Sequence, residues 1–329
     1  MLSVEYLAGF VDGEGHLSIA RIARRDRPHE YCARVSITNT NRPILNQIQR
    51  FSGGIFVSVG PRSPGWKPQY ALVWTNAAAA RLLTKVSPFL RVKSKQAAAL
   101  REFVFHVRGS RRRRDRLGRL LSLSGRELII RDTFYRRLKL LNKRGSVSVS
   151  RGHDNTARKS ESRTISSEYL AGFIDAEGCL MIARSESRRH RGLQYRARVC
   201  VSNTDRVILE DLQRAFGGIL VNQPAAKIGW KHAYQLVWSD RMVEQLLLSA
   251  LPYLQVKRRQ AVVLLQFIKH KKRTRQGRNA NGFAPLPRRV VATREALCRR
   301  MKELNAKGQR LGATKRQARE VVVGQARRP

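Results

Sequence analysis

A nine-residue segment occurs twice in the chain, and this repeat constrains the fold more than any other feature of the sequence. The first copy spans residues 7–15 and the second spans residues 170–178, and both follow a Glu-Tyr pair. The copies begin about half of the 329-residue chain apart. The spacing therefore predicts two similar halves, each with the length of one domain.

Each copy predicts a helix that packs closely against the other. Leu7, Phe10 and Val11 fall on one apolar face, and Ser3 can cap the start of the helix. The other face carries small residues at a spacing of four, which lets two helix backbones approach each other. These small residues are Gly9 and Gly13 in the first copy, and Gly172 and Ala176 in the second. We therefore expect the two helices to form a packed pair.

Both predicted helices end with two acidic residues. Asp12 and Glu14 end the first helix, and Asp175 and Glu177 end the second. The carboxyl end of a helix carries partial negative charge, so acidic residues are unfavourable there and point to a functional site. We expect Asp12 and Asp175 to hold the helix ends together by hydrogen bonding.

The remaining acids predict a metal site. Carboxylates at the ends of two packed helices repel each other unless a divalent cation lies between them. Glu14 and Glu177 are the natural direct ligands, and the backbone carbonyl oxygens of Gly13 and Ala176 are available beside them. A divalent cation at this place could promote hydrolysis of a phosphodiester bond.

The two segments resemble the motif of the LAGLIDADG family of homing endonucleases, in the single-chain form with two motifs. The resemblance covers nine positions in each copy. It implies a DNA endonuclease, associated with an intron or an intein, that cuts both strands of a long asymmetric target. It also implies Mg²⁺ as the cofactor, with Mn²⁺ able to substitute and Ca²⁺ supporting binding without cleavage.

The resemblance also implies roles for individual residues. The catalytic acid of the family is the eighth motif position, which is Glu14 and Glu177 here; the more familiar motif has Asp at that position. The family further places a lysine near the scissile phosphate and a polar residue that orders water there. The matching residues are Lys93 and Lys257, and Asn39 and Asn203. The alternatives are plain surface charge for the two lysines, and helix or turn capping for the two asparagines.

The duplication extends beyond the motifs and predicts an α+β fold. Strands are predicted at 15–24, 31–39, 55–60 and 69–75, and at 178–185, 195–203, 219–223 and 233–239. A helix opens near Asn41 or Thr204 and is stopped by Gly53 or Gly217. The result is two pseudo-symmetric αββαββα halves joined through the motif helices. Two antiparallel four-stranded sheets would then form the DNA-binding saddle that the family implies.

The outward faces of the predicted strands are polar or basic and differ between the halves. A two-stranded ribbon fits the major groove of duplex DNA, so unlike sheets would recognise unlike half-sites. Cys179 and Cys200 are assigned to the outward face as well. The predicted DNA-binding residues are His16, Ser18, Arg34, Ser36, Gln69, Met181, Arg196, Arg198 and Gln235.

The charge of the chain indicates a polyanionic partner. Lys and Arg number 66 against 23 Asp and Glu, a formal net charge of +43, and nucleic acid is the first candidate. Alternatives to the endonuclease are an RNA maturase that binds its host intron RNA, a catalytically silent DNA-binding regulator, and a basic scaffold. The paired acids favour cleavage, and the paired motif opposes a scaffold.

The chain is divided into two halves at 1–145 and 167–310, a basic linker at 146–166 and a basic tail at 311–329. We expect a monomer, because one chain supplies both motif helices.

No apolar run reaches membrane length and no signal peptide is evident, which predicts an intracellular protein located with the genome of its host. The four cysteines lack paired spacing and are expected to be reduced thiols. Residues 111–114 and 269–278 are basic runs, either solvated loops or phosphate clamps.

Overall fold

A computed structural model gives the fold of the chain. It describes residues 2–23, 29–60, 67–110, 116, 122–143, 164–187, 192–223, 232–274, 278–279, 282–283 and 286–306. The predicted tail, residues 111–114 and most of the predicted linker lie outside these ranges. No helix within the described ranges is long and apolar enough to cross a membrane.

Apart from one short hairpin in the second half, the described elements follow the same order in both halves, as the repeat predicts. The first half consists of α1 (Val4–Glu14), β1 (Gly15–Ile22), β2 (Glu30–Asn39), α2 (Arg42–Ser52), β3 (Ile55–Gly60), β4 (Gln69–Thr75), α3 (Asn76–Val86), α4 (Ser94–Gly109) and α5 (Gly125–Leu141). The second half consists of α6 (Ser167–Glu177), β5 (Gly178–Ser187), β6 (Gly192–Asn203), α7 (Arg206–Phe216), β7 (Ile219–Gln223), β8 (Ala233–Ser239), α8 (Arg241–Ala250), α9 (Arg258–Arg273), β9 (Arg278–Asn279), β10 (Gly282–Phe283) and α10 (Arg288–Asn305). The short β9–β10 hairpin was not predicted.

Each half contains one antiparallel four-stranded sheet. The strand orders are β1-β2-β4-β3 and β5-β6-β8-β7. One face of each sheet packs against helices, and the alternating apolar residues explain why: Val35, Ile37, Val199 and Val201 are fully buried. The α+β prediction with two antiparallel sheets is therefore confirmed. We call the opposite face of each sheet, turned away from the helices, the open face.

The helix between the two hairpins begins differently in each half. Asn41 caps α2, since its side chain accepts a hydrogen bond from the backbone N–H of Ile44 at 3.1 Å, as predicted. In the second half the cap is Asp205 and not Thr204, because the Asp205 carboxylate accepts from the backbone N–H of Val207 at 3.0 Å. Both helices stop at a glycine with positive φ, Gly53 at 74° and Gly217 at 68°.

The motif helices α1 and α6 pack on each other through their small residues. A methyl group on Gly9 would overlap the carbonyl oxygen of Tyr169, and one on Gly172 would overlap the carbonyl oxygen of Tyr6. A methyl group on Gly13 would overlap the Cβ of Ala176. The close approach of the two backbones therefore depends on the residues that the repeat supplies.

Candidate active site

The packed motif helices bring Glu14 and Glu177 to the same end of the pair. The Cγ of Glu177 would lie 3.1 Å from a methyl group on Gly13, so the Glu177 side chain starts beside the other motif helix. Burial raises the pKa of Glu177, and the ammonium groups of Lys93 and Lys257 act in the opposite direction. The predicted ligands Glu14, Glu177, Gly13 and Ala176 thus lie together at the ends of the paired helices.

The other pair of acids ties the two helices to the rest of the fold. The Asp12 carboxylate, 1% exposed, accepts hydrogen bonds from the backbone N–H groups of Arg91 at 2.6 Å and Lys93 at 2.8 Å. It also accepts from the hydroxyl of Tyr169, on the opposite motif helix, at 2.7 Å. Burial raises the pKa of Asp12, and these hydrogen bonds and the Lys93 charge oppose that rise. Asp12 therefore holds the helix ends together, as expected from the sequence.

Asp175 makes the equivalent contacts in the second half. Its carboxylate accepts from the hydroxyl of Tyr6 at 2.7 Å, which crosses to the first motif helix. The backbone N–H groups of Gln255, Val256 and Lys257 donate to the same carboxylate. Each motif helix thus carries a tyrosine that donates to the aspartate of the other. Sequence reasoning missed these tyrosines, although Glu-Tyr precedes both motifs.

The two predicted lysines lie against the ends of the motif helices. The Lys93 ammonium group donates to the carbonyl oxygens of Val11 at 2.9 Å, Gly13 at 3.1 Å and Asp12. The Lys257 ammonium group donates to the carbonyl oxygens of Ile174 at 2.9 Å and Asp175. Each helix end therefore receives a cation from a distant segment, which offsets its partial negative charge.

Burial shifts the pKa of both lysines in the same direction. It lowers the pKa of Lys93, while Asp12, Glu177 and Glu14 oppose that shift. It lowers the pKa of Lys257 as well, while Asp175, Glu14 and Glu177 oppose it. The alternative that these lysines are plain surface charge is wrong, since both ammonium groups are enclosed between backbone carbonyls and acids.

The two asparagines are the last residues of β2 and β6 and contact the turns that follow these strands. Asn39 accepts a hydrogen bond from the backbone N–H of Asn41 at 2.8 Å, so it shapes the turn after β2. Its side-chain amide also lies 3.5 Å from Glu14, at the limit of hydrogen bonding. Asn203 accepts from the backbone N–H of Asp205 at 2.9 Å. Both asparagines therefore shape turns, and Asn39 also faces Glu14.

The predicted DNA-binding residues lie on the open faces of the sheets. In the first sheet His16 pairs with Ser36 and Ser18 pairs with Arg34 across β1 and β2, and Gln69 begins β4. In the second sheet the corresponding residues on β5, β6 and β8 are Met181, Arg196, Arg198 and Gln235. Cys200, assigned to the same face, is only 5% exposed. Its cross-strand partner Cys179 is exposed, and the hydrogen bond between the two thiols lowers the pKa of Cys179 to about 6.

The open faces of the two sheets differ in how their arginines are held. The Arg198 guanidinium donates to the side-chain oxygen of Gln235 at 3.2 Å, and the Gln235 amide donates to the hydroxyl of Ser202 at 3.2 Å. In the first sheet Ala71 occupies the position of Gln235. Arg34 therefore lacks this partner and stays exposed. The open faces of the two sheets therefore differ in the contacts of their arginines.

Comparison with known proteins agrees with this geometry. The family model described as LAGLIDADG endonuclease matches residues 170–249, which begin at the second motif. The second motif and the residues that follow it therefore resemble the LAGLIDADG endonucleases. A curated relative, the DNA endonuclease I-CvuI of Chlorella vulgaris, is 36% identical over 105 residues. That match covers 31% of this chain and 62% of the relative, less than two thirds of its length.

Solved LAGLIDADG structures share the fold. I-GzeII in complex with its DNA target superposes with a TM-score of 0.62 at 12% identity, covering 93% of this chain and all of that chain. I-AabMI bound to uncleaved DNA gives 0.64 at 17% identity, covering 92% and 100%. Their likeness to this chain concerns the fold, including the single-chain arrangement of two motif halves.

The open faces of the two sheets have a feature that sequence reasoning missed. We expected polar or basic residues there, and this is wrong for the edge strands β3 and β7. Ile55 is 64% exposed and Val57 42%, and at the matching positions Ile219 is 59% exposed and Val221 43%. The signal was present in the sequence, because Ile55-Phe-Val-Ser-Val has apolar residues on both sides of the strand.

Part of the second basic run serves the fold. Residues 269–273 form the end of α9, where positive charge is favourable. Lys271 donates to Asp240 at 2.8 Å, and Lys272 donates to both carboxylate oxygens of Glu244 at 2.8 and 2.6 Å. These two lysines are therefore engaged with acids of the same chain and are not solvated loop residues.

Proposed function

We propose that the chain is a site-specific DNA endonuclease that cuts both strands of a long asymmetric duplex target. One observation carries the proposal: Glu14 and Glu177 lie at the same end of the packed motif helices, with the Glu177 side chain beside Gly13. In each half the first strand of the sheet begins directly after the motif helix. The open face of each sheet carries arginines. The relative I-CvuI is named a DNA endonuclease, and I-GzeII was solved with its DNA target, which supports the same activity here.

We propose that Glu14 and Glu177 hold a divalent cation, with Mg²⁺ as the natural ion. The available donors are hard oxygen atoms, namely two carboxylates and the carbonyl oxygens of Gly13 and Ala176, and this set suits Mg²⁺. Among the described residues, no three His, Cys, Asp or Glu side chains are grouped so that they alone could hold a metal ion. An ion here would therefore draw further oxygen ligands from DNA phosphates and water, as Mg²⁺ commonly does.

Different residues of the chain would have different roles in hydrolysis. When bound, the divalent cation would act as a Lewis acid toward the phosphodiester and the attacking water. Lys93 and Lys257 keep positive charge beside Glu14 and Glu177, which opposes the negative charge that develops on the phosphate. The Asn39 amide faces Glu14 and is placed to orient water there. The open faces bind the duplex through their basic side chains.

We further propose that the enzyme is a monomer that acts on the genome of its host cell and is associated with an intron or an intein. Residues 1–145 and 167–310 would be its halves, joined by the linker 146–166 and followed by the tail 311–329. The two unlike open faces would each bind one half of the target, so the target would lack two-fold symmetry.

The test is cleavage of a randomised duplex library in Mg²⁺, followed by sequencing of the cut molecules. We expect one asymmetric sequence to be enriched, cut on both strands, and EDTA to abolish cutting. Binding to that duplex should persist in Ca²⁺. A protein that cuts no duplex and binds structured RNA with steep salt dependence would contradict the proposal and support the maturase.

A further inference from the structure

The exposed apolar residues of β3 and β7 lie on the same face as the predicted DNA-binding residues. Ile55 is the cross-strand partner of Val73, and Val57 is the partner of Ala71. Their neighbours Phe56 and Leu72 point the other way, into the core. On β2, Ser36 is the cross-strand partner of Val73 and Thr38 is the partner of Ala71, so these two residues lie on the same face. The apolar side chains therefore extend the open face that carries His16 and Arg34.

The second sheet repeats the arrangement. Ile219 pairs with Val237, and Val221 pairs with Gln235. On β6, Cys200 pairs with Val237 and Ser202 pairs with Gln235, on the same face as Arg198. The four edge residues thus occupy matching positions on the two halves, one pair in each sheet.

Solvent-exposed apolar residues on an edge strand are a hazard for a soluble protein. An edge strand has unpaired backbone groups, and apolar side chains on it favour association with other strands. Apolar surface that is exposed twice, at equivalent positions, therefore indicates a ligand. The ligand must also suit the arginines on the same face, which points to a polyanion that exposes apolar groups.

Duplex DNA has such groups in its major groove. The C5-methyl group of thymine is the apolar feature there, and proteins contact it with aliphatic side chains. Methyl groups of Ile and Val neither donate nor accept hydrogen bonds, so they can distinguish a base pair only by such contacts. We propose that Ile55, Val57, Ile219 and Val221 contact thymine methyl groups, so that each half-site requires thymine at matching positions. This inference rests on the proposed DNA-endonuclease function and specifies its substrate.

The test uses the duplex selected in the cleavage experiment and copies of it in which single thymines are replaced by deoxyuracil. The replacement removes only the methyl group. With binding measured in Ca²⁺, we expect affinity to fall about fourfold at each contacted thymine, from the burial of one methyl-sized group. Thymines outside the contacts should show no change.

Two variants assign the effect to the proposed residues. Val57→Thr and Val221→Thr keep the shape and the β-branching of the side chain but introduce a hydroxyl group. Each should abolish the uracil effect at the thymine that the replaced valine contacts, and leave the thymines of the other half-site sensitive. Val207→Thr is the matched control, because Val207 is also exposed, at 41%, but lies on helix α7 and not on a sheet. This variant should show the uracil effect in both half-sites.

The possible outcomes separate this inference from the proposed function. Absence of binding to any duplex would overturn both. Specific cleavage combined with equal affinity for thymine and uracil duplexes would overturn the thymine contacts alone. So would threonine variants that keep the uracil effect and instead reduce self-association in light scattering, since the apolar strands would then be a protein contact.

Discussion

At the scale of single residues, the four acids of the two motifs divide into two roles. Asp12 and Asp175 are nearly inaccessible and accept several hydrogen bonds each, including one from the tyrosine of the opposite helix. Lys93 and Lys257 supply the positive charge that the helix ends lack. With the helix ends satisfied in this way, the fold tolerates Glu14 and Glu177 where acids are otherwise unfavourable.

Lys93→Ala should slow cleavage and also lower the melting temperature. The substitution removes a positive charge beside the catalytic acids, which typically costs about 10²–10³-fold in rate. It also removes the ammonium donor to the carbonyl oxygens of Val11 and Gly13, although Val11 keeps the backbone N–H of Gly15. Both quantities are measured on the purified variant, by single-turnover cleavage and thermal denaturation.

Lys95→Ala is the matched control for that experiment. Lys95 is exposed on α4 and lies two residues from Lys93, so the variant loses the same charge at nearly the same place. We expect its rate and melting temperature to stay close to those of the wild type. Equal losses in the two variants would show that net charge, and not contact with the helix end, explains the effect.

The sequence predicted the acids of the site but not the contacts that hold them. Glu14, Glu177 and the structural role of Asp12 followed from the repeat, because motif residues are close together in the chain. The bond from Tyr169 to Asp12 joins residues 157 positions apart, and the bond from Lys93 to Gly13 joins residues 80 apart. Such contacts are fixed by the packing of whole helices, which residue spacing does not reveal.

At the scale of elements, the pair of motif helices depends on close backbone contact. The structure leaves no space for a side chain at Gly9 or Gly172, where the opposing carbonyl oxygen lies against the glycine. Any separation of the helices would also lengthen the tyrosine–aspartate bonds that cross between them. The positions of Glu14 and Glu177 are therefore coupled to the packing of the two halves.

Gly9→Ala should lower the free energy of unfolding by about 3 kcal/mol, the cost of overpacking a tight contact. Gly125→Ala is the control, since a methyl group on Gly125, at the start of α5, meets no atom within 4 Å. The control should leave stability unchanged or raise it by up to about 1 kcal/mol. Urea denaturation measures both. A Gly9→Ala variant as stable as the control would contradict the close packing.

The boundaries of four strands could be predicted well, whereas the apolar open face of the edge strands β3 and β7 could not. Strands β3, β4, β7 and β8 begin and end where apolar alternation and glycines place them. Alternation also identified the buried faces of β2 and β6. It failed for Ile55 and Val57 because an apolar residue suggests burial, and only strand order shows that β3 is an edge with one face open.

At the scale of the whole molecule, one chain supplies both halves of the site. The contact between α1 and α6 connects the halves within the same chain. We therefore expect a monomer of 37.5 kDa in dilute solution, measured by light scattering coupled to size exclusion. An obligate dimer would show that a second copy completes the site.

The net charge of +43 predicts steep salt dependence of DNA binding. Binding of basic side chains to phosphates releases condensed counterions, and about eight contacts would give a slope near −7 in a plot of log affinity against log salt. Titrations of a fluorescent duplex over a range of KCl concentrations measure this slope. A nearly flat dependence would contradict binding through the basic open faces.

The central claim is that Glu14 and Glu177 form one metal-dependent cleavage site, and the most direct test separates cutting from binding. Glu14→Gln and Glu177→Gln keep the shape of each side chain but lose the charge that holds a hard cation. Cleavage of the selected duplex is measured in Mg²⁺ and its binding in Ca²⁺, with Glu5→Gln on the same motif helix as the control. We predict that each motif variant loses double-strand cleavage and keeps binding, while the control cuts normally. Full double-strand cleavage by either Glu14→Gln or Glu177→Gln would contradict the assignment.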